Sequence, residues 1–287
     1  MESEQSIIVS RYMVHLPPYL VKAVAKLYRA DLVETTTVED ITYLSDGLKV
    51  KGYIAYPKAK GKYPVLIWNR GGFADKGALD DLRAFLILAT TAAWGYVVLA
   101  TQYRGNRGGE GQEDWGDKDI NDSLNLIKVA EEIPRADLSR IAIEGASRGG
   151  MTTYRALTME DRFRCAIVHA GVSDIFELAE VFPDFGRFVD SRFGHMTVDD
   201  RRREMSMRSA VYFADQFPKN CPLLLLHGDN DKRVPLSQSQ ALAAELTRLG
   251  RPHELVVIEG GGHVALKDGS YKKIDGYRKA WLKKHLG

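Results

Sequence analysis

Residues 141–150 read IAIEGASRGG: an apolar run breaks at Gly145-Ala146-Ser147-Arg148-Gly149 and passes into the helical pattern of Arg148–Met159. Glycines two before and two after Ser147 let backbone pass where a Cβ would clash, so the serine hydroxyl can stand on a sharp strand-to-helix bend. The same alternation recurs on either side. Strand-like runs fall at Tyr63–Trp68, Tyr96–Ala100, Arg140–Glu144, Cys165–His169, Leu223–His227 and Glu254–Ile258. Helical patterns fall at Asp80–Ala93, Lys118–Ala130, Arg148–Met159, Ser237–Leu249 and Ser270–His285. Strand and helix in turn predict an α/β fold, a mostly parallel sheet with helices on both faces. Alternating apolar and polar residues split by Asp46-Gly47 predict an antiparallel hairpin leading into it.

The length, 287 residues, suits one large domain with additions. Leu16–Leu32 has an amphipathic helical pattern, with Leu20, Val24, Leu27 and Tyr28 on one face, so residues 1–38 are expected as an N-terminal helical extension and 39–287 as the catalytic domain. The aromatic-rich interval 172–220 is far too long for a connection and predicts a helical cap insertion. Forty Lys and Arg nearly balance 38 Asp and Glu, which gives no electrostatic footprint for nucleic acid or an anionic membrane. No apolar stretch reads as a membrane span or a signal peptide. Cys165 and Cys221 each adjoin an apolar run and suit buried thiols, and a cytoplasmic location is the expectation.

A serine hydroxyl attacks only when a histidine takes its proton and an acid fixes the imidazole tautomer. In strand–helix folds with this bend the order is serine, acid, histidine. PLLLLHGDNDKRVP ends a strand with Asp229 and Asp231, and ELVVIEGGGHVAL ends the next with His263. His169 and His227 also end strands but precede turn glycines and read as structural, and His15, His195, His253 and His285 sit in weaker contexts still. The N–H of Arg148 is a candidate oxyanion donor, and the second is expected from Asn69-Arg70-Gly71-Gly72-Phe73, at Gly71, with Arg70, Gly72 and Phe73 as substrate contacts. A glycine-rich turn without a catalytic part is the alternative there. No phosphate-binding glycine loop and no calcium-loop pattern is present, so neither metal nor cofactor is expected.

GASRGGM (145–151), HGDNDKRVP (227–235), GGGH (260–263), the YRGN turn (103–106) and DWGDKDIND (114–122) together resemble the prolyl oligopeptidase family of α/β-hydrolases, over roughly Ile41 to Leu286. The resemblance implies Ser147 as nucleophile, His263 as base and Asp231, rather than Asp229, as acid. It implies cofactor-independent hydrolysis of peptide or ester bonds in small molecules or short peptides. Two departures stand out. The roughly 40 residues before the hydrolase region cannot form the β-propeller of larger family peptidases, and Arg70 stands where many of them place a tyrosine beside the oxyanion. The expected activity is therefore hydrolysis of small peptides or esters, with carboxylesterase and non-catalytic ligand binder as competing readings.

Overall fold

Ile8–Met13 forms strand β1, which pairs antiparallel with β2 (Thr36–Ser45). The computed structural model describes residues 6–27, 29, 31–263 and 269–287. Tyr28 of the expected apolar face, and Val264 to Leu266 after His263, lie outside them. The chain divides into two compact units, Met1–Ile143 with Leu286 and Glu144–His285 with Gly287.

In the first unit, α1 (Pro18–Leu27) and α2 (Leu32–Thr35) precede β2, followed by β3 (Leu48–Pro57) and β4 (Tyr63–Asn69). Next come α3 (Asp81–Ala84), a π-helical turn at Phe85–Ala89, α4 (Thr90–Ala92), β5 (Val97–Thr101), α5 (Ile120–Glu131) and β6 (Ala136–Ala146), which runs on into the second unit. The strand order is β1-β2-β3-β5-β4; pairing is antiparallel from β1 to β5 and parallel between β5 and β4. The β2–β3 hairpin closes as the sequence predicts. Ser45 pairs with Leu48, and Asp46 (φ 51°) with Gly47 (φ 79°) makes a two-residue turn whose twist matches the strands. Residues 1–38 differ from the expected helical extension, because the apolar run Ile7-Ile8-Val9 supplies an edge strand and β2 already begins at Thr36.

Two of the recognised motifs are braces of this unit. Asp122, fully buried on α5, accepts from the backbone N of Arg104 (2.7 Å), from its guanidinium (2.8 Å at Nη2) and from Ser45 Oγ (2.6 Å). Asp119 accepts from the N–H groups of Trp115 (3.1 Å) and Gly116 (2.8 Å). These carboxylates supply hydrogen bonds that turn backbone would otherwise bury unmade.

The second unit continues through α6 (Arg148–Ala156), β7 (Phe163–His169), α7 (Ile175–Val181), α8 (Pro183–Phe193) and α9 (Val198–Ser206). It ends with β8 (Leu223–Gly228), α10 (Leu236–Arg248), β9 (His253–Ile258) and α11 (Tyr271–Leu286). Strands β7, β8 and β9 are parallel neighbours, as continuous apolar runs require. Every residue of β8 is buried, whereas β9, last in the order, is half-covered. The 172–220 interval holds α7, α8, α9 and two 3₁₀ turns, Ala210–Tyr212 and Ala214–Gln216. Cys165 and Cys221 are free and buried, and burial raises both thiols, Cys221 to about 12. The strands thus form a mixed system, antiparallel at its start and parallel thereafter, and among the described residues no helix is long and apolar enough to cross a membrane.

Candidate active site

Ser147 stands between β6 and α6 with φ 57° and ψ −122°, a left-handed conformation uncommon for a residue with a side chain. Three contacts hold it there. Its N–H donates to His169 O at the end of β7 (2.9 Å), and its carbonyl accepts from Gly150 N (2.9 Å) and Val172 N (3.3 Å). The bend is closed so tightly that a Cβ on Gly145 would lie 2.0 Å from Gly149 O, and one on Gly150 would lie 2.7 Å from Gly171 Cα. The glycines around the serine are therefore dictated by backbone approaching backbone.

The loop after β8 carries Asp231, and the turn after β9 carries His263. The Ser147 hydroxyl lies 3.1 Å from His263 Nε2, and His263 Nδ1 lies 2.7 Å from Asp231 Oδ2. The other oxygen of Asp231 accepts from Arg233 N (2.8 Å) and Val234 N (3.0 Å). Burial opposes charge on this carboxyl, but hydrogen bonds from His227 and His263 and from backbone outweigh it and hold Asp231 well below the usual carboxylate range. Asp229 does something else. Its Oδ1 accepts from Gly260 N (2.7 Å), while Asn230 N donates to Gly261 O (2.9 Å), so the glycine run before His263 is a pinned turn rather than a loose one.

Two further histidines belong to this cluster. His227, buried at the end of β8, donates from Nε2 to Val234 O (2.9 Å), accepts at Nδ1 from Ser239 Oγ (2.7 Å), and lies 3.5 Å from Asp231 Oδ2. His169 has a buried Nε2 with no hydrogen-bond partner among the described residues, and burial, followed by the charges of His263 and His227, lowers its pKa to about 4. From sequence both read as turn-adjacent structural residues. Their nearness to Asp231 and His263 could have been suspected from their shared place at the carboxyl ends of the strands after Ser147.

Arg148, first residue of α6, is buried. Arg70, Gly71, Gly72 and Phe73 lie after β4 in the first unit. Arg70 differs from the expected substrate contact. It is fully buried, and its guanidinium donates to the carbonyls of Gln102 (2.7 Å), Ala74 (2.9 Å) and Gly71 (3.1 Å) while lying 5.1 Å from the Tyr103 ring centroid. These donors are turned onto backbone carbonyls of its own loop and of the segment just after β5. Gly72 (φ 78°) is required by the turn, since a Cβ there would meet Lys76 O at 2.0 Å, and Phe73 is exposed.

Residues 83–287 match the prolyl oligopeptidase family. The uncharacterized peptidase YtmA of Bacillus subtilis is 34% identical over 216 residues, which cover 75% of this chain and 81% of that protein. The dipeptidyl aminopeptidase BIII of Pseudoxanthomonas mexicana is 27% identical over 204 residues, 67% of this chain and 29% of that one. Among solved structures, a Pyrococcus horikoshii acylaminoacyl peptidase superposes with a TM-score of 0.73 at 25% identity, covering 95% of this chain and 44% of that one. A Mycobacterium tuberculosis puromycin-hydrolyzing peptidase gives 0.70 at 24%, covering 88% and 46%; at that identity it speaks for the fold alone. This chain spans less than half the length of the last three relatives.

Proposed function

Because the chain belongs to the prolyl oligopeptidase family, serine hydrolases of the α/β-hydrolase fold, we propose that it is a cofactor-independent peptidase of short peptides that also cleaves small acyl esters. The observation that carries this reading is the line from Ser147 Oγ through His263 to Asp231, at 3.1 and 2.7 Å. Ser147 attacks the acyl carbon as its proton passes to His263 Nε2. Asp231, hydrogen-bonded at Nδ1 and kept ionised, stabilises the imidazolium, which then protonates the leaving amine or alkoxide. Water repeats the sequence on the acyl-enzyme. Arg148 N–H, at a helix start where the first donors lack intrahelical acceptors, is proposed to meet the oxyanion.

The relatives named as dipeptidyl aminopeptidase and acylaminoacyl peptidase support peptides as the substrate class. A preference for esters over matched amides is expected, because an alkoxide leaves more readily than an amine that the imidazolium must first protonate. Aminoacyl amides, N-blocked peptides and short acyl esters, each with wild type and Ser147→Ala, form the test. Turnover and fluorophosphonate labelling, both lost in Ser147→Ala, are expected. Hydrolysis of esters alone would move the chain to the carboxylesterase reading, and labelling of another serine, or of none, would reject the mechanism.

A further inference from the structure

Within the second unit, the start of the 172–220 insertion is held by one side chain and is also where the returning segment at 209–211 closes. Val172 starts it with its N–H on Ser147 O (3.3 Å). One residue later Ser173 and Asp174 donate their backbone N–H groups to Oε1 of Gln238 (2.9 and 2.8 Å), and Ser173 Oγ donates to the Gln238 carbonyl (2.7 Å). Gln238 Nε2 donates back to Asp174 O (3.0 Å) and to Glu177 Oε2. The returning chain closes on the same residues: Val211 N donates to Ser173 O (3.2 Å), and Ser209 Oγ accepts from Ile175 N (3.0 Å). The Phe176 and Tyr212 rings meet edge to face with centroids 5.6 Å apart.

Gln238 is fully buried in the first turn of α10, which starts two residues after Val234, a backbone donor to Asp231. A buried amide must have its polar atoms satisfied, and here both are satisfied by the outgoing stretch at Ser173 and Asp174 and by Glu177 of α7, while the returning chain reaches Gln238 only through its own bonds to Ser173 and Ile175. We propose that Gln238 is a specificity-determining positioning residue: it fixes the setting of the insertion relative to Ser147 and Asp231, and so sets how steeply the enzyme discriminates among substrates by size. The inference rests on the peptidase reading above and deepens it.

The test is a series of acyl esters and N-blocked peptides of increasing length, assayed with wild type and with Gln238→Met, which keeps volume and removes the hydrogen bonds. The ratio of kcat/KM between the shortest and longest members is expected to shift by about tenfold or more, the change falling on KM of the long substrates, with kcat of the shortest within about threefold. Gln238→Glu keeps the acceptor for Ser173 and Asp174 but sets a carboxylate against Glu177. It is expected to shift the ratio in the same direction and carries the test if the methionine variant does not fold. An unchanged ratio, or one common factor lost by every substrate, overturns the role of Gln238. Absence of turnover by wild type on every member would instead remove the peptidase reading itself.

Discussion

Asp231 accepts two backbone N–H groups on one oxygen and His263 on the other, while Asp229 spends its carboxylate on the turn before His263. Asp231→Asn should therefore lower kcat by roughly 10⁴ through the wrong imidazole tautomer. Asp229→Asn, which leaves an acceptor for Gly260 N–H, should cost less than about tenfold, its loss arising from a looser turn. Steady-state kcat on one ester decides between them, and the reverse ranking would move the acid by two residues. His169 gives a prediction about stability. Burial holds its imidazole down to about 4, against 6.5 in an unfolded chain, so between those values the unfolded state binds the extra proton. Stability should be full above about pH 6.5 and fall as pH drops toward 4, by roughly 3 kcal/mol at most for this residue. Urea unfolding of wild type and His169→Gln at pH 7 and 4.5 should show a smaller pH loss in the variant; equal losses would remove His169 as the cause. That Ser147, Asp231 and His263 come together was legible from local motif and chain order. The contacts of Arg70 were not, because a guanidinium that folds back onto Gln102 and Ala74 leaves no local trace in sequence.

At the scale of elements, β6 and α11 are joined by a buried ion cluster. Arg278 Nε and Nη2 donate to the two oxygens of Glu144 (2.7 and 2.9 Å), and Nη1 donates to Asp275 (2.7 Å). Glu144 lies three residues before Ser147, and both it and Arg278 are under a tenth exposed. Removing one partner leaves an uncompensated buried charge, so Arg278→Met alone should cost about 3–5 kcal/mol, whereas Glu144→Leu with Arg278→Met should recover most of that. Equal losses in the single and double variants, read from urea midpoints, would show that packing of the arginine stem rather than charge is what counts. The sequence marked both elements but not their junction. Strand β6 also begins earlier than its apolar stretch suggests, at Ala136, because Asp137, Ser139 and Arg140 are partly or fully exposed polar residues that hide the strand signal. Strand β1 was hidden similarly. An edge strand needs only one covered side, and a short apolar run between polar residues carries too little periodicity to separate it from coil.

Across the whole molecule the α/β architecture was readable because parallel strands buried on both faces must be continuous apolar runs, and β4, β5 and β8 are such runs. The division of the chain inside β6 was not, since it follows from contacts between distant segments rather than from any linker composition. One consequence concerns covalent chemistry. The protein's two cysteines are both buried, and with burial raising both thiols the native chain should not react with an aromatic disulfide reagent, both reacting only after denaturant is added. Native-state reaction of either would contradict the burial. Against that silent background Ser147→Cys would install a single addressable sulfur beside His263, on a backbone bend already strained to display it. One codon change thus turns the scaffold into a carrier for a spin label, a fluorophore or a synthetic catalyst at one stereochemically defined point.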